Sequence, residues 1–141
     1  MSEQNKEDIK RRPIRSYILR QGRITAAQTK AIQENLKKHA AEKNIDEYFM
    51  TNRKIHEAIQ SLAGNEWLTN MVTDLRRILN LSRHRSLHHK GRIEESCQEH
   101  LSIFEALKSR DAVEAERLMK THILRQREVL KLLQTSEMLA A

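Results

Sequence analysis

Residues 45–63 read IDEYFMTNRKIHEAIQSLA, and their pattern predicts one amphipathic helix. Apolar side chains recur at the three- and four-residue spacing that lines one face of a helix: Ile45, Tyr48, Phe49, Ile55, Ile59 and Leu62. Asn52 and His56 interrupt this face, one turn apart. Because burying an unpaired polar group is costly, we expect these two side chains to have a buried partner.

The composition around this stretch is typical of a helical protein. The 141 residues include only three glycines, one proline and few aromatic residues, a composition that leaves little material for strands or hairpins. A single cysteine, Cys97, excludes an intramolecular disulfide and fits a reducing compartment. No signal-peptide pattern and no membrane-length apolar run is present. We therefore expect a soluble, cytoplasmic, all-α protein folded as an antiparallel helical bundle.

Capping residues divide the predicted bundle into about five helices. We expect them at 25–42, 45–63, 66–85, 92–108 and from 112 onward, with Asn44, Asn65 and Asp111 as N-caps and Gly64 ending the second. The domain is predicted to cover residues 24–135, between an arm at 1–23 and a tail at 136–141. The inner face of the third helix is predicted to be Leu68, Met71, Leu75, Ile78 and Leu79. That of the last is predicted to be Ala115, Leu118, Met119, Ile123, Val129 or Leu130, and Leu133.

Two later helices each place one histidine on an apolar face. His100 lies between Cys97 and Phe104, and His122 follows Met119 by three residues. A lone histidine on such a face is more often a hydrogen-bonded core residue than a metal ligand, and His39, which also lies near an inner face, shows that the pattern is not perfectly selective. Three histidines together with an amide favour a divalent metal site formed by Asn52, His56, His100 and His122, for which zinc or nickel is suitable.

The charge of such a site has a consequence for its ligand. Three neutral imidazoles and an amide oxygen leave a buried divalent ion uncompensated unless an anion completes its coordination. A small carboxylate is the simplest candidate. Ser82, Arg85 and Gln126 are predicted to hold the far end of that molecule.

The N-terminal arm is basic. Residues 1–23 carry seven Lys or Arg and three acidic residues, a net charge of +4 in a chain of net charge +7. Such an arm attracts phosphate backbones without reading sequence, although a solvated, partly disordered leader has the same composition. The candidate nucleic-acid contacts are Arg11, Arg12, Arg15, Arg20 and Arg23.

Two blocks of the chain resemble the FCD domain, the all-helical effector domain of GntR-type bacterial transcription regulators. They are YFMTNRKIHEAIQSLAGNEWL at 48–68 and GRIEESCQEHLSIFEALKSRDAVEAERLMKTHI at 91–123, and the likeness extends from about residue 24 or 36 to 133. The resemblance implies a homodimer that binds a metal and an organic acid, and whose affinity for its operator DNA changes when they bind. By position it implies the same ligands, Asn52, His56, His100 and His122.

The resemblance also implies a winged helix–turn–helix before the FCD domain, for which this chain has no room, and the first FCD helices are not found. The expectation is a truncated regulator, an isolated effector domain or a gene remnant that contacts DNA only indirectly. Residues 11–28, RRPIRSYILRQGRITAAQ, resemble the start of bacterial tRNA (guanine-N7)-methyltransferases. Three glycines that form no cofactor loop exclude that catalysis, and a gene fusion accounts for both resemblances.

Three classes of function follow. The first is a metal-dependent sensor of small carboxylates, which is not an enzyme. The second is a small RNA-binding protein that acts through the basic arm. The third, a metallohydrolase, ranks last because Gln60 stands where a zincin motif starting at His56 needs its second histidine. In addition, Glu57 and Glu99 point about 100° away from the neighbouring ligands.

Overall fold

The computed structural model describes residues 26–140, which fold into six helices with no strand among them. The helices are α1 (Ala26–Ala41), α2 (Ile45–Leu62), α3 (Glu66–Ile78), α4 (Asn80–Ser86), α5 (Arg92–Lys108) and α6 (Ala112–Ala140). The prediction of an all-α helical bundle is confirmed.

Short polar side chains begin three of the helices, as predicted. The Oδ1 atoms of Asn44, Asn65 and Asp111 each accept a hydrogen bond from the backbone N–H three residues later, at 3.3, 3.0 and 3.0 Å. These bonds satisfy N–H groups that have no partner within the helix. Gly64 follows α2 with φ 68°, and Gly91 precedes α5 with φ 78°, values that favour glycine.

The core lies where α5 packs against α1 and α6, with α2 covering α1. One cluster of buried side chains joins α1, α2 and α5 and the turn before α5: Leu36, Ala40, Tyr48, Ile55, Leu87, Ile93, Cys97 and Phe104. A second joins α5 to α6: Ile103, Ala106, Leu107 and Ala115. The polar residues discussed below lie on these same three inner faces of α2, α5 and α6.

The third predicted helix is divided, and its predicted inner face is wrong. The helix α3 ends before Leu79, which has φ −90° and ψ 0°, and α4 begins at Asn80. Asparagine is unfavourable inside helices because its side chain competes for backbone hydrogen bonds. Four of the five residues assigned inward are exposed: Met71 by 63%, Leu75 by 59%, Ile78 by 77% and Leu79 by 46%. The fifth, Leu68, is half-buried. The helix is amphipathic as expected, but its apolar face points away from this bundle.

Three further predictions concern the inner face of α6, the C-terminal tail and the N-terminal arm. Ile123 is 57% exposed, because burying the neighbouring His122 turns the adjacent side chain outward. The helix α6 continues through Ala140, so residues 136–140 are helical. The basic arm and almost all of residues 11–28 lie outside the described residues, and the predictions made for them stay predictions. Between residues 26 and 140, no helix is both long enough and apolar enough to cross a bilayer.

Candidate metal centre

Three helices bring one buried histidine each to a common point. His56 on α2, His100 on α5 and His122 on α6 offer ring nitrogens that all lie within 4.8 Å of one another. The ring centroids of His100 and His122 are 4.4 Å apart, and that of His56 lies 5.4 Å from the first and 6.0 Å from the second. Residues 44 and 66 positions apart in sequence therefore meet in one cluster, as the apolar-face pattern predicted.

Hydrogen bonds donated by the Nδ1 atoms orient two of the rings. Nδ1 of His100 donates to the backbone carbonyl of Ser96 at 2.7 Å, one turn earlier on α5. Nδ1 of His122 donates to Oε1 of Glu99 at 3.1 Å, across the contact between α5 and α6. A ring that donates through Nδ1 keeps a lone pair on Nε2, which is the tautomer that a metal ligand needs. Nε2 of His100 stands 3.3 Å from Nε2 of His56.

A buried arginine holds Glu99 in place. Arg92, 2% exposed, donates from Nη1 to both carboxylate oxygens of Glu99, at 3.1 and 2.7 Å. Burial alone raises the pKa of Glu99, but hydrogen bonds from His122 and Arg92 outweigh this effect and lower that pKa. The carboxylate therefore stays ionised, and it fixes the orientation of His122.

A second support runs from α2 to the same turn of α5. The hydroxyl of Tyr48 donates to Oγ of Ser96 at 2.9 Å, and Ser96 in turn carries the carbonyl that binds His100. Tyr48 is fully buried, which raises the pKa of its hydroxyl and keeps it a donor. The chain Tyr48–Ser96–His100 links the core to the histidine cluster.

The environment keeps two of the histidines neutral. Burial lowers the pKa of His100 to about 3, with the nearby His122 adding to the effect. Burial, the positive charge of Arg76 and the two other histidines lower the pKa of His56 well below its usual value. Neutral imidazole is the form that binds metals, so protons compete weakly for these positions.

The donor set fits a divalent transition metal. Two nitrogens at bonding distance on a tetrahedral zinc ion stand about 3.3 Å apart, close to the 3.3 Å between the Nε2 atoms of His56 and His100. Asn52, one turn before His56 and 5% exposed, has a buried Oδ1 with no hydrogen-bond partner among residues 26–140. An orphaned amide oxygen on this face is the atom that a fourth ligand would use. The roles of Asn52, His56, His100 and His122 as ligands stay a prediction.

Two arginines place positive charge near the cluster. Arg83 on α4 is 7% exposed, and Arg76 on α3 is half-buried. Burial lowers the pKa of Arg76 to about 9 and that of Arg83 to about 10, and both charges act on His56. Nη2 of Arg76 and Nη1 of Arg83 are buried and find no hydrogen-bond acceptor within the described part of the chain. Buried guanidinium groups of this kind call for an anion.

Two of the three residues predicted to hold the ligand's far end, Ser82 and Arg85, lie apart from this cluster. Ser82 and Arg85 line an open cavity of about 370 Å³ between α4 and α6, whose lining includes none of the three histidines. Arg85 also forms an ion pair with Glu137 at the far end of α6. Gln126 is half-buried on α6, one turn after His122. Their assignment to a ligand stays a prediction.

Pattern reading missed the supporting residues, although some signals were present. Arg92 and Glu99 are seven residues apart, so they lie two turns apart on the same face of α5. Glu99 is adjacent to His100 in the sequence, but it binds His122 of the facing helix. Arg76 and Arg83 are also seven apart, on the side opposite to the apolar stripe of α3.

Fold and site together define an all-α domain with a buried three-histidine cluster at the meeting point of α2, α5 and α6. The chain belongs to the FCD domain family, whose model matches residues 14–125. This confirms the resemblance, and the match begins earlier than the predicted boundary at residue 24.

The relatives are named as transcription regulators. The chain is 26% identical over 103 residues to the HTH-type transcriptional repressor RspR of Escherichia coli K12, a match covering 71% of this chain and 45% of the relative. The uncharacterized HTH-type transcriptional regulator YdfH of Shigella flexneri and that of Escherichia coli O6:H1 match with the same identity and coverage. The chain thus spans about half the length of these relatives. Membership of this family supports a regulatory role.

Proposed function

We propose that this chain is the metal-dependent, small-carboxylate-sensing effector domain of a GntR-type transcription regulator, acting as a homodimer. In this proposal Asn52, His56, His100 and His122 bind a divalent ion, zinc or nickel. DNA is contacted only indirectly, through a helix–turn–helix of the kind in the relatives' names. The observation that carries the proposal is the convergence of three buried imidazoles, two of them oriented by hydrogen bonds, beside an amide oxygen with no partner among the described residues.

The charge around the cluster supports an anionic ligand. The proposed ligands carry no charge, so a divalent ion among them keeps its full charge in a poorly solvated site. Among residues 26–140, the one carboxylate hydrogen-bonded to a proposed ligand is Glu99, and it also pairs with Arg92. Arg83, which is buried, and Arg76, which is half-buried, add two further cations, each with a buried N–H group that has no acceptor among the described residues. A carboxylate that coordinates the ion and accepts from these guanidinium groups satisfies both needs.

The acidic residues near the cluster favour binding over catalysis. A metallohydrolase needs a general base within reach of a metal-bound water. Glu99 is engaged by His122 and Arg92, and the exposed Glu57 pairs with Arg53 at 2.9 Å. We therefore propose a sensor rather than an enzyme.

Calorimetry tests the sensing step. Zinc-loaded chain is titrated with a panel of small mono- and dicarboxylates, and with the amide of each acid as a neutral control. We expect binding of at least one acid, no binding of its amide, and none by chelator-treated protein. Arg83→Gln should weaken binding, whereas Arg117→Gln, an exposed arginine paired with Glu114 on α6, should not. Equal heats for acids and amides, or binding that is unchanged by the chelator, would count against the proposal.

A further inference from the structure

The helix α3 has an apolar face that nothing in the described chain covers. Trp67, Met71, Leu75 and Ile78 recur every three or four residues and fall within about 80° around the helix axis. They are 84%, 63%, 59% and 77% exposed. We call these four residues, with the half-buried Leu68, the α3 stripe.

Within residues 26–140, α3 buries little of its surface against the other helices. None of the thirteen residues Glu66–Ile78 is fully buried in the described chain, and the helix packs chiefly against α2 and α4. Most helices owe their stability to the packing of their apolar face rather than to propensity. A helix that turns such a face outward therefore needs a partner for it.

We propose that the α3 stripe is the surface through which two copies of this chain form a homodimer. This inference rests on the proposed function in that it supplies the interface for the homodimer named there. With the usual accessible areas of such side chains, the stripe exposes on the order of 600 Å², near the ~800 Å² that each partner gives to a stable interface. It is as large as the largest apolar patch of a typical monomer, about 600 Å².

The sequence of α3 is complementary to itself in an antiparallel arrangement. Leu68, Met71, Leu75 and Ile78 follow the alternating three- and four-residue spacing of a helix–helix seam. A two-fold axis near Thr73 sets Leu68 against the partner's Ile78, and Met71 against the partner's Leu75. A two-fold contact of this kind closes without leaving a surface free for further copies.

The same helix also faces the candidate metal centre. Arg76 lies on the side of α3 away from the stripe, and its charge acts on His56. The partner copy and the sensed ligand thus lie on opposite sides of one helix. Ligand binding at Arg76 has a direct structural route to the dimer contact.

Sedimentation equilibrium of the full chain over a range of concentrations tests the surface. We expect a dimer for the wild type, a monomer for Leu75→Glu, and a dimer for the matched control Leu132→Glu, which alters an exposed leucine on α6. Circular dichroism and bound zinc, measured on the same samples, show that Leu75→Glu is folded. If that variant does not fold, Met71→Lys takes its place. A monomeric wild type, or a dimer that persists in the folded variant, overturns the inference, while retained zinc shows that the metal site stands independently.

Trp67 provides a second, optical readout. It is the chain's one tryptophan, and it lies in the stripe. Its emission should shift to shorter wavelength and become less accessible to quenchers as the wild-type chain associates, and it should stay at long wavelength in Leu75→Glu. Emission at long wavelength in a sample that sedimentation shows to be dimeric would mean that the dimer uses another face, and would overturn the inference.

Discussion

Glu99 on α5 accepts a hydrogen bond from Nδ1 of His122 on α6 at 3.1 Å, and this contact sets the direction in which His122 presents its other nitrogen. Arg92 donates a second hydrogen bond to the same carboxylate, from Nη1 to Oε2 at 2.7 Å. Carboxylate–histidine pairs of this kind are typical of the residues that support a metal ligand. The pair joins the two helices that pack most closely in the bundle.

Removing the Glu99 carboxylate should weaken metal binding without removing a ligand. We expect Glu99→Gln to lower the zinc affinity about 10- to 100-fold, because His122 loses its charged acceptor and Arg92 keeps only Glu95 as a counter-ion. Competition with a chromogenic chelator measures the change. Glu105→Gln, an exposed position on the same helix, is the control, and an equal effect of both substitutions would contradict the supporting role of Glu99.

Asn52→Leu should affect the metal-free and metal-loaded chains in opposite directions. Without metal, the buried Oδ1 has no partner among the described residues, so replacing the amide by leucine should raise the free energy of unfolding by about 1 kcal/mol. With zinc, the variant should gain less stability than the wild type because one proposed ligand is lost. Urea unfolding with and without zinc measures both. Destabilisation of the metal-free variant would indicate that Asn52 is an ordinary core residue.

The metal-free chain should lose stability as the pH falls below about 6.5. The unfolded chain protonates His100 near pH 6.5, whereas burial in the folded chain lowers this pKa to about 3. Between these values the unfolded state binds more protons, so stability is complete above the upper value and declines below it, by up to about 1.4 kcal/mol per pH unit for this side chain. Urea unfolding of chelator-treated protein at several pH values measures the slope. His100→Gln should flatten it, and an unchanged slope in that variant would contradict the assignment.

Tyr48→Phe separates support of the fold from metal binding. The substitution removes the hydrogen bond to Ser96 and should cost about 1 kcal/mol of stability. The histidines themselves are untouched, so the variant should still bind one equivalent of zinc. Thermal unfolding and metal analysis on one preparation check the two expectations. Loss of zinc from a folded Tyr48→Phe variant would show that the Tyr48–Ser96–His100 chain is required for the site.

Sequence pattern predicted those parts of the fold where local chemistry and packing agree. The helix at 92–108 was placed within its observed bounds, and the caps at Asn44, Asn65 and Asp111 form the predicted hydrogen bonds. Convergence of the three histidines also followed from pattern, because buried faces of packed helices must meet. In each case the apolar face of a helix is the face that the core buries.

Where an apolar face points outward, the same reasoning failed. The residues assigned inward on the third helix, 68, 71, 75 and 78, and the ligand residues 82 and 85 continue a single stripe with seven-residue spacing. The structure leaves most of that stripe exposed and buries Arg83 instead. Periodicity identifies which residues share a face, but it does not tell whether that face meets the core or another surface. The arginines near His56 were missed for this reason.

Metal content per chain tests the central claim most directly. The purified full chain, loaded with zinc and freed of excess, should carry close to one ion per chain by elemental analysis and should melt at a lower temperature after chelator treatment. His56→Ala, His100→Ala and His122→Ala should each lose the ion, whereas His88→Ala, in the exposed turn before α5, should keep it. A wild-type chain that retains no metal, and melts identically with and without chelator, would contradict the account.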